Sequence, residues 1–193
     1  MPELDELQAQ ISALKSELEQ ARTLQTISRG VNAAHNEAEL LKALAQPALK
    51  AGAASANLSY THLNGAGNPV DLETVASVNA QPDVPSPVGM RVHWTKYAVA
   101  QVWRDHPDSP LYIADAQTDM RLDKAARARL LRFGIRAQAA IPLRQGGRWV
   151  GALTFDWKEP HDFDASECAV YDALPVLAAS AIENQRLVSR LEK

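Results

Sequence analysis

The sequence predicts an α+β fold in which an antiparallel sheet packs against helices, with a coiled-coil-type helix at each end. Three observations support this prediction. Several runs alternate apolar and polar residues and are joined by short turns rich in glycine, which is typical of β-hairpins. Amphipathic segments with a helical period lie between these runs. The first and last segments repeat apolar residues at steps of three and four, which is the spacing of a coiled coil.

Composition sets the broad class of the chain. Its 193 residues fit one domain with an appended element, and 46% hydrophobic with 22% charged residues exclude global disorder. A net charge of −3 argues against nucleic acid as the main partner. One cysteine excludes a disulfide framework within the chain. Without an apolar run of about 20 residues or a signal peptide, we expect a cytoplasmic segment that does not insert into a membrane.

The N-terminal segment, residues 1–35, is predicted to be a signalling or coiled-coil helix. Its apolar stripe consists of Leu4, Leu7, Ile11, Leu14 and Leu18. So narrow a stripe needs a partner helix to be buried. The alternative is an amphipathic helix that folds back on its own domain.

The C-terminal segment, residues 174–193, repeats the same spacing. Its stripe consists of Leu177, Ala181, Asn184, Val188 and Leu191. We expect the two stripes of each protomer to join those of a second copy in a parallel four-helix bundle. The pattern stops at Lys193 without a helix stop signal. It therefore predicts a homodimer fused to an output domain in a longer protein.

The predicted core, residues 36–173, begins with a helix. Asn36 and Glu39 form a capping-box pattern, Gly52 is the expected stop, and Pro47 predicts a kink or an early break. A hairpin of strands 58–63 and 70–78 should follow.

Shorter elements are predicted in the middle of the chain. We expect a helix over 97–103, a strand over 111–113, and a helix that Gly134 ends. The apolar stripe of that last helix is Leu122, Ala126, Leu130 and Phe133. Its arginines, Arg127, Arg129 and Arg132, are interpreted mostly as a solvated face.

A long hairpin gives the clearest pattern. Alternating residues on either side of the turn at 145–147 predict two strands with one strongly apolar face and an opposite polar face that includes Gln138 and Asp156. Gly151 inside the second strand would let another element approach closely. Asp164 and Glu167 then form a capping-box pattern at the start of the final helix.

Together these motifs resemble a GAF domain. The resemblance rests on Gly134-Ile135-Arg136, Ile141-Pro142-Leu143, Trp149-Val150-Gly151-Ala152-Leu153, Phe163 and Ala181-Ile182-Glu183-Asn184. It covers about residues 36–187 and is similar to GAF modules of bacterial multidomain signalling proteins such as sensor histidine kinases of two-component systems. It implies a GAF/PAS-like six-stranded antiparallel sheet between helical layers, a small-molecule pocket on one side, and a dimer made by the terminal helices.

Enzymatic and covalent-cofactor functions are disfavoured. Cys168 occupies a packing position, and the reductases of this family depend on several cysteines because a sulfenate needs a resolving thiol. Bilin-binding members attach their chromophore through a cysteine placed before or within the middle region, whereas Cys168 lies in the final helix. The five histidines show no metal-ligand spacing.

The remaining function is the non-covalent binding of an organic ligand in an apolar cavity. The predicted lining is Trp94, Tyr97, Trp103, Tyr112, Asp115 and Arg136. Core packing explains the aromatic residues equally well. We therefore expect a non-catalytic sensory module without a resident cofactor or metal. The alternatives are a dimerising spacer without a ligand and, less favoured, a redox enzyme or haem sensor.

Overall fold

A computed structural model describes residues 2–80, 85–97 and 99–191. Five α-helices and six β-strands are found there. The helices are α1 (Pro2–Ala33), α2 (Glu37–Lys50), α3 (Ala100–Asp105), α4 (Lys124–Arg132) and α5 (Ala165–Leu191). The strands are β1 (Ser55–Leu63), β2 (Pro69–Asn79), β3 (Arg91–His93), β4 (Leu111–Ile113), β5 (Ala137–Gln145) and β6 (Arg148–Trp157).

The strands form one antiparallel sheet in the order β3-β2-β1-β6-β5-β4. The predicted α+β class and the six-stranded sheet are confirmed. Helices α2 and α5 cover one face of the sheet, which we call the helix face, and α1 packs on α2 and α5. Helices α3 and α4 and a short 3₁₀ helix, Trp94–Lys96, lie on the opposite face.

Local sequence motifs correctly predict where several helices begin or end. Glu39 N–H donates to Asn36 Oδ1 over 2.9 Å, and Glu167 N–H donates to Asp164 Oδ1 over 2.8 Å, so both predicted N-caps are confirmed. Gly134 adopts φ +70° directly after α4, where a left-handed residue ends a helix.

Three local features differ from the expectations, and the first is that no early break occurs at Pro47. Helix α2 continues through Pro47 to Lys50, because Leu44 and Ala48 on either side of the proline are fully buried and hold the last turn in place. The helix predicted over 97–103 is present as α3, which begins three residues later, and the 3₁₀ turn precedes it. Strand β3 was not anticipated, since it has only three residues and lies at the sheet edge.

The sequence boundary at 173/174 falls inside the continuous helix α5. Similarly, the C-terminal half of α1 belongs to the core, because Ile27 and Val31 are buried against the helix face. The coiled-coil-type stripes are therefore extensions of helices that also pack in the domain core.

One described segment, Ala165–Gln185, has the length and apolar composition of a membrane-spanning helix. Its Leu174, Ala178 and Ile182 are fully buried in the domain core. This burial identifies the segment as a core helix, and it gives no indication of a membrane protein.

Candidate functional site

A cavity of about 500 Å³ lies on the sheet face opposite α1, α2 and α5. The outward-facing residues of β1, β2, β5 and β6 form its floor. Helix α4, strand β3 and the loop over residues 85–90 form its walls. The lining residues are Ser55, Asn57, Ser59, Thr74, Asn79, Pro85, Ser86, Pro87, Met90, Val92, Tyr97, Arg129, Leu130, Phe133, Ile135, Gln138, Thr154 and Asp156. The volume falls within the range of small-molecule sites.

The floor is built around Asp156, whose residue surface is only 4% exposed. Gln138 Nε2 donates to its Oδ1 over 2.7 Å. Ser55 Oγ and Asn57 Nδ2 donate to its Oδ2 over 2.9 and 3.1 Å. The carboxyl group is thus held by three neutral donors on two strands, β1 and β5.

Asn57 is itself fixed from both sides. Its Oδ1 accepts from Ser77 Oγ over 2.8 Å, and its Nδ2 also donates to Thr154 Oγ1 over 3.4 Å. Because every polar atom of the amide has a partner, its orientation is determined by the network. The floor is therefore a preformed polar surface.

Burial raises the pKa of the Asp156 carboxyl above its ordinary value, and the hydrogen bonds from Gln138 and Ser55 oppose that effect. None of the described ion pairs involves Asp156. The site thus holds a desolvated acid without a cation from the described residues.

The walls are largely apolar. Met90 and Val92 approach from one side, and Leu130 with Phe133 from the other. Phe133 was predicted to lie on the buried stripe of α4, yet it is 63% exposed. Phe133 borders the cavity, and its side chain is therefore not covered by a neighbouring core residue.

Tyr97 joins the cavity wall to an aromatic cluster behind it. Its ring centroid lies 5.8 Å from that of Trp103. Burial first, and the charge of Asp156 second, raise the pKa of the Tyr97 hydroxyl, so the phenol stays protonated. No hydrogen bond from this hydroxyl to another described residue is present, and a ligand can therefore use it.

The six residues predicted to bind a ligand do not lie together. Tyr97 lines the cavity, but Trp94 and Trp103 are buried with Trp149 in a core cluster. The centroids of Trp94 and Trp103 lie 4.8 and 5.5 Å from that of Trp149. These tryptophans fill the space between the sheet and α3, and the cavity opens beside them.

Tyr112 lies on the helix face. Its hydroxyl donates to Asp172 Oδ1 over 2.6 Å, and its ring packs 5.3 Å from Phe163. Burial and the adjacent Asp172 raise the pKa of this hydroxyl. The residue therefore joins β4 to α5 and has no contact with the cavity.

Asp115 and Arg136 form a bidentate ion pair beyond the ends of β4 and β5. Arg136 Nη2 and Nε donate to the two carboxylate oxygens over 2.9 and 3.1 Å. Arg136 lowers the pKa of Asp115, and the backbone N–H of Gln117 adds to the effect. Neither residue lines the cavity. The ion pair instead links the segment after β4 to the residue that precedes β5.

Cys168 lies on α5 at the helix face, where its Sγ is 4.0 Å from the Phe163 carbonyl oxygen. Burial raises the pKa of its thiol, which disfavours the thiolate. It does not line the cavity. Among the described residues there is also no group of three or more metal-ligating side chains.

The N-terminal stripe is exposed along its length. Leu4, Leu7, Ile11, Leu14 and Leu18 are each between 51% and 64% exposed. In the C-terminal stripe, Leu177 and Ala181 are half-buried against the protomer's own core, and Asn184 is exposed. The side chains of Val188 and Leu191 lie outside the described residues.

The two stripes lie at opposite ends of the domain. Helices α1 and α5 run in the same direction, since Thr23 and Val170 border one surface cleft and Gln185 Nε2 donates to the Ala34 carbonyl oxygen further along. The stripe from Leu4 to Leu18 forms a helical arm of about 21 Å that precedes these contacts. The structure thus separates two stripes that the sequence analysis placed in one four-helix bundle.

The polar floor was not identified from the sequence. Asp156 and Gln138 were recognised only as members of the polar faces of the long hairpin. A carboxylate between two buried aromatics, Phe155 and Trp157, was the available signal. A buried acidic residue near the end of a central strand needs partners, and its neighbours on the same sheet face were the place to look for them.

The sequence model of the GAF domain family matches residues 34–183. A comparison with curated protein sequences gave no match.

Three solved structures share the fold. The GAF domain of a phosphoenolpyruvate-protein phosphotransferase from Coxiella burnetii has 21% identity and a TM-score of 0.68, with 90% of this chain and 98% of that chain covered. The corresponding domain from Acinetobacter has 16% identity and a TM-score of 0.67, with 89% and 98% covered. The phycocyanobilin-bound GAF domain of a cyanobacterial phytochrome has 15% identity and a TM-score of 0.68, with 87% and 96% covered.

Proposed function

Because the chain belongs to the GAF domain family, whose members are generally regulatory modules, we propose that it is a non-catalytic sensor that binds a small organic molecule in the cavity above Asp156. The single observation that carries the proposal is the cavity's construction. A desolvated polar floor is enclosed by apolar walls, which is the usual composition of a small-molecule site. We propose no reaction for this segment.

A route from the cavity to the terminal helices supports a sensory role. Asp156 faces the cavity, whereas its neighbour on β6, Phe155, faces α5. The ring centroids of Phe155 and Tyr171 are 5.2 Å apart. A ligand that moves β6 would therefore act directly on the packing of α5, since close-packed cores transmit small displacements.

We further propose that the protein acts as a parallel homodimer. The exposed stripe from Leu4 to Leu18 fits a two-stranded coiled coil with a second α1. The distal end of α5 would form a separate pairing at the other end, leading to a fused output domain. A sensor histidine kinase of a two-component system is one form that such an output would take, in the cytoplasm.

The competing proposal is a dimerising spacer whose cavity holds nothing. The exposed stripe of α1 supports dimerisation in either case. Binding in the cavity separates the two proposals.

The test is a thermal-shift screen of the whole chain with nucleotides, haem, nitrate, aromatic acids and aromatic amidines. The same screen is run on Val92→Trp, in which the larger side chain fills part of the cavity, since Val92 lies in its lining. The matched control is Val88→Trp, because Val88 is 52% exposed and does not line the cavity.

We expect at least one compound to raise the melting temperature of the wild-type protein and of Val88→Trp but not of Val92→Trp. Native mass spectrometry of protein purified from its own host should then show a bound small molecule. If no compound gives a shift and no molecule co-purifies, the spacer proposal is favoured.

A further inference from the structure

Two polar groups on the cavity floor, the Asp156 carboxyl and the Gln138 amide, offer acceptors to a ligand. A carboxylate offers about four lone-pair sites, and the described residues use three of those on Asp156. Gln138 gives its amide nitrogen to Asp156, so its Oε1 is the atom left for a ligand. A molecule that fits this floor must bring N–H or O–H donors.

The charge of the floor narrows the ligand class further. Asp156 is 4% exposed, and none of the ion pairs among the described residues involves it. An ionised carboxylate in such a place is costly unless an opposite charge approaches it. In the described part of the chain, only neutral groups donate to this carboxylate. A cationic ligand would therefore stabilise its ionised form.

Tyr97 adds a second favourable contact for a cation. Tyr97 and Asp156 both line this cavity. A cation above an aromatic ring is attracted to the π face, most strongly when it is desolvated.

From these contacts we propose that the cavity recognises a small molecule with a cationic nitrogen end, such as an amidine or an amine, which pairs with Asp156 under the ring of Tyr97, while an apolar body packs on Leu130 and Phe133. This inference rests on the proposed function and specifies its ligand class.

The described residues lining the cavity include one cation, Arg129, and an anionic ligand is the opposite hypothesis. Arg129 lies on α4 and is half-exposed, so water and salt screen its charge. Asp156 lies at the desolvated floor, where electrostatic interactions are stronger. We therefore expect the end of the ligand that lies on the floor to be cationic.

The experiment measures the affinity of three compounds of nearly equal shape by isothermal titration calorimetry. The probes are benzamidine, which is cationic, benzamide, which is neutral, and benzoate, which is anionic. We expect the wild-type chain to bind benzamidine at least tenfold more tightly than benzamide, with benzoate weakest. In Asp156→Asn the preference for benzamidine should fall below threefold, whereas the exposed control Asp105→Asn should keep it.

A readout that does not depend on a variant is the pH dependence of wild-type binding. Benzamidine affinity should rise with pH as the carboxyl loses its proton, and benzamide affinity should not. If benzamide or benzoate binds as tightly as benzamidine, or if only another compound of the screen binds, this inference is overturned and the proposed function stands. If nothing binds, both fail.

Discussion

The rings of Phe155 and Tyr171 pack with their centroids 5.2 Å apart and thereby join the central strand β6 to helix α5. Both residues are fully buried. On the opposite side of the sheet, the next residue of β6, Asp156, forms the floor of the cavity. Strand β6 thus places Asp156 at the cavity and the adjacent Phe155 against helix α5.

The close approach of β1 and β6 predicts the cost of a methyl group at Gly151. A Cβ there would lie 2.2 Å from the Ser59 carbonyl oxygen, so one of the two backbones must move. We expect Gly151→Ala to lower the free energy of unfolding by about 1–3 kcal/mol, the usual cost of overpacking. Urea denaturation followed by circular dichroism measures it.

Gly65→Ala is the matched control for Gly151→Ala. Nothing lies within 4 Å of a Cβ at Gly65, and no left-handed φ is required there. This variant should stay within about 0.5 kcal/mol of the wild type. Equal effects of the two substitutions would contradict the described packing of β6 on β1.

The raised pKa of Asp156 predicts how stability depends on pH. The folded chain keeps the proton to a higher pH than the unfolded chain does, because burial disfavours the charged form. Its stabilising contribution is therefore complete below the unfolded pKa and is lost as pH rises through the folded pKa. In urea titrations from about pH 4 to pH 8, Asp156→Asn should remove this decline.

The slope with pH is the readout, since an amide at this position also changes the hydrogen bonds to Gln138 and Asn57. Asp105→Asn, at an exposed carboxyl on α3, serves as the control and should leave the slope unchanged. An unaltered slope in Asp156→Asn would show that the carboxyl does not titrate as its burial requires.

Two tyrosine hydroxyls on the helix face should differ in their contribution to stability. Tyr171 Oη donates to Glu167 Oε1 over 2.6 Å, and the Tyr171 residue is fully buried. Tyr112 donates to Asp172, which is exposed. We expect Tyr171→Phe to cost about 1.5–3 kcal/mol, because a buried hydrogen bond to a charged group is lost, and Tyr112→Phe to cost less. Thermal and urea unfolding compare them; the reverse order would contradict this assignment.

The exposed stripe of α1 predicts the oligomeric state. Light scattering after size exclusion should give twice the chain mass for the wild type, and Leu7→Lys with Leu14→Lys should reduce it, because both charges would enter the helix seam. The matched control is Ala9→Lys with Ser16→Lys, which adds equal charge on the outer face of the same helix. A control that dissociates as readily as the seam variant, or a monomeric wild type at tens of micromolar, would refute the interface.

The local parts of the fold could be predicted from the sequence because their causes are local. Alternation and turn residues located the hairpins, and Asn36 and Asp164 located two helix starts. The apolar stripe of α1 was also recognised, although its continuation into the core at Ile27 and Val31 was not. Where a helix leaves solvent and enters a core depends on tertiary packing, and a stripe of constant spacing looks the same in both places.

The candidate site depends on a register that spacing alone does not determine. Counting from the pair Gln145 and Arg148 would place Gln138 opposite Phe155. A bulge between Leu143 and Arg144 shifts the pairing by one residue, so that Gln138 lies opposite Asp156. Because a shift of one residue exchanges the two faces of a strand, this single irregularity assembles the polar floor.

Hydrogen–deuterium exchange measures most directly whether a molecule in the cavity acts on the terminal helices. The probe is the screened compound that gives the largest thermal shift, added at saturation to the wild-type chain and to Val92→Trp. In the wild type we predict slower exchange in β6 together with a change in α5 around Tyr171, and neither change in Val92→Trp. Protection confined to the cavity, with α5 exchanging at the same rate with and without the probe, would contradict the proposal that this domain transmits a ligand signal.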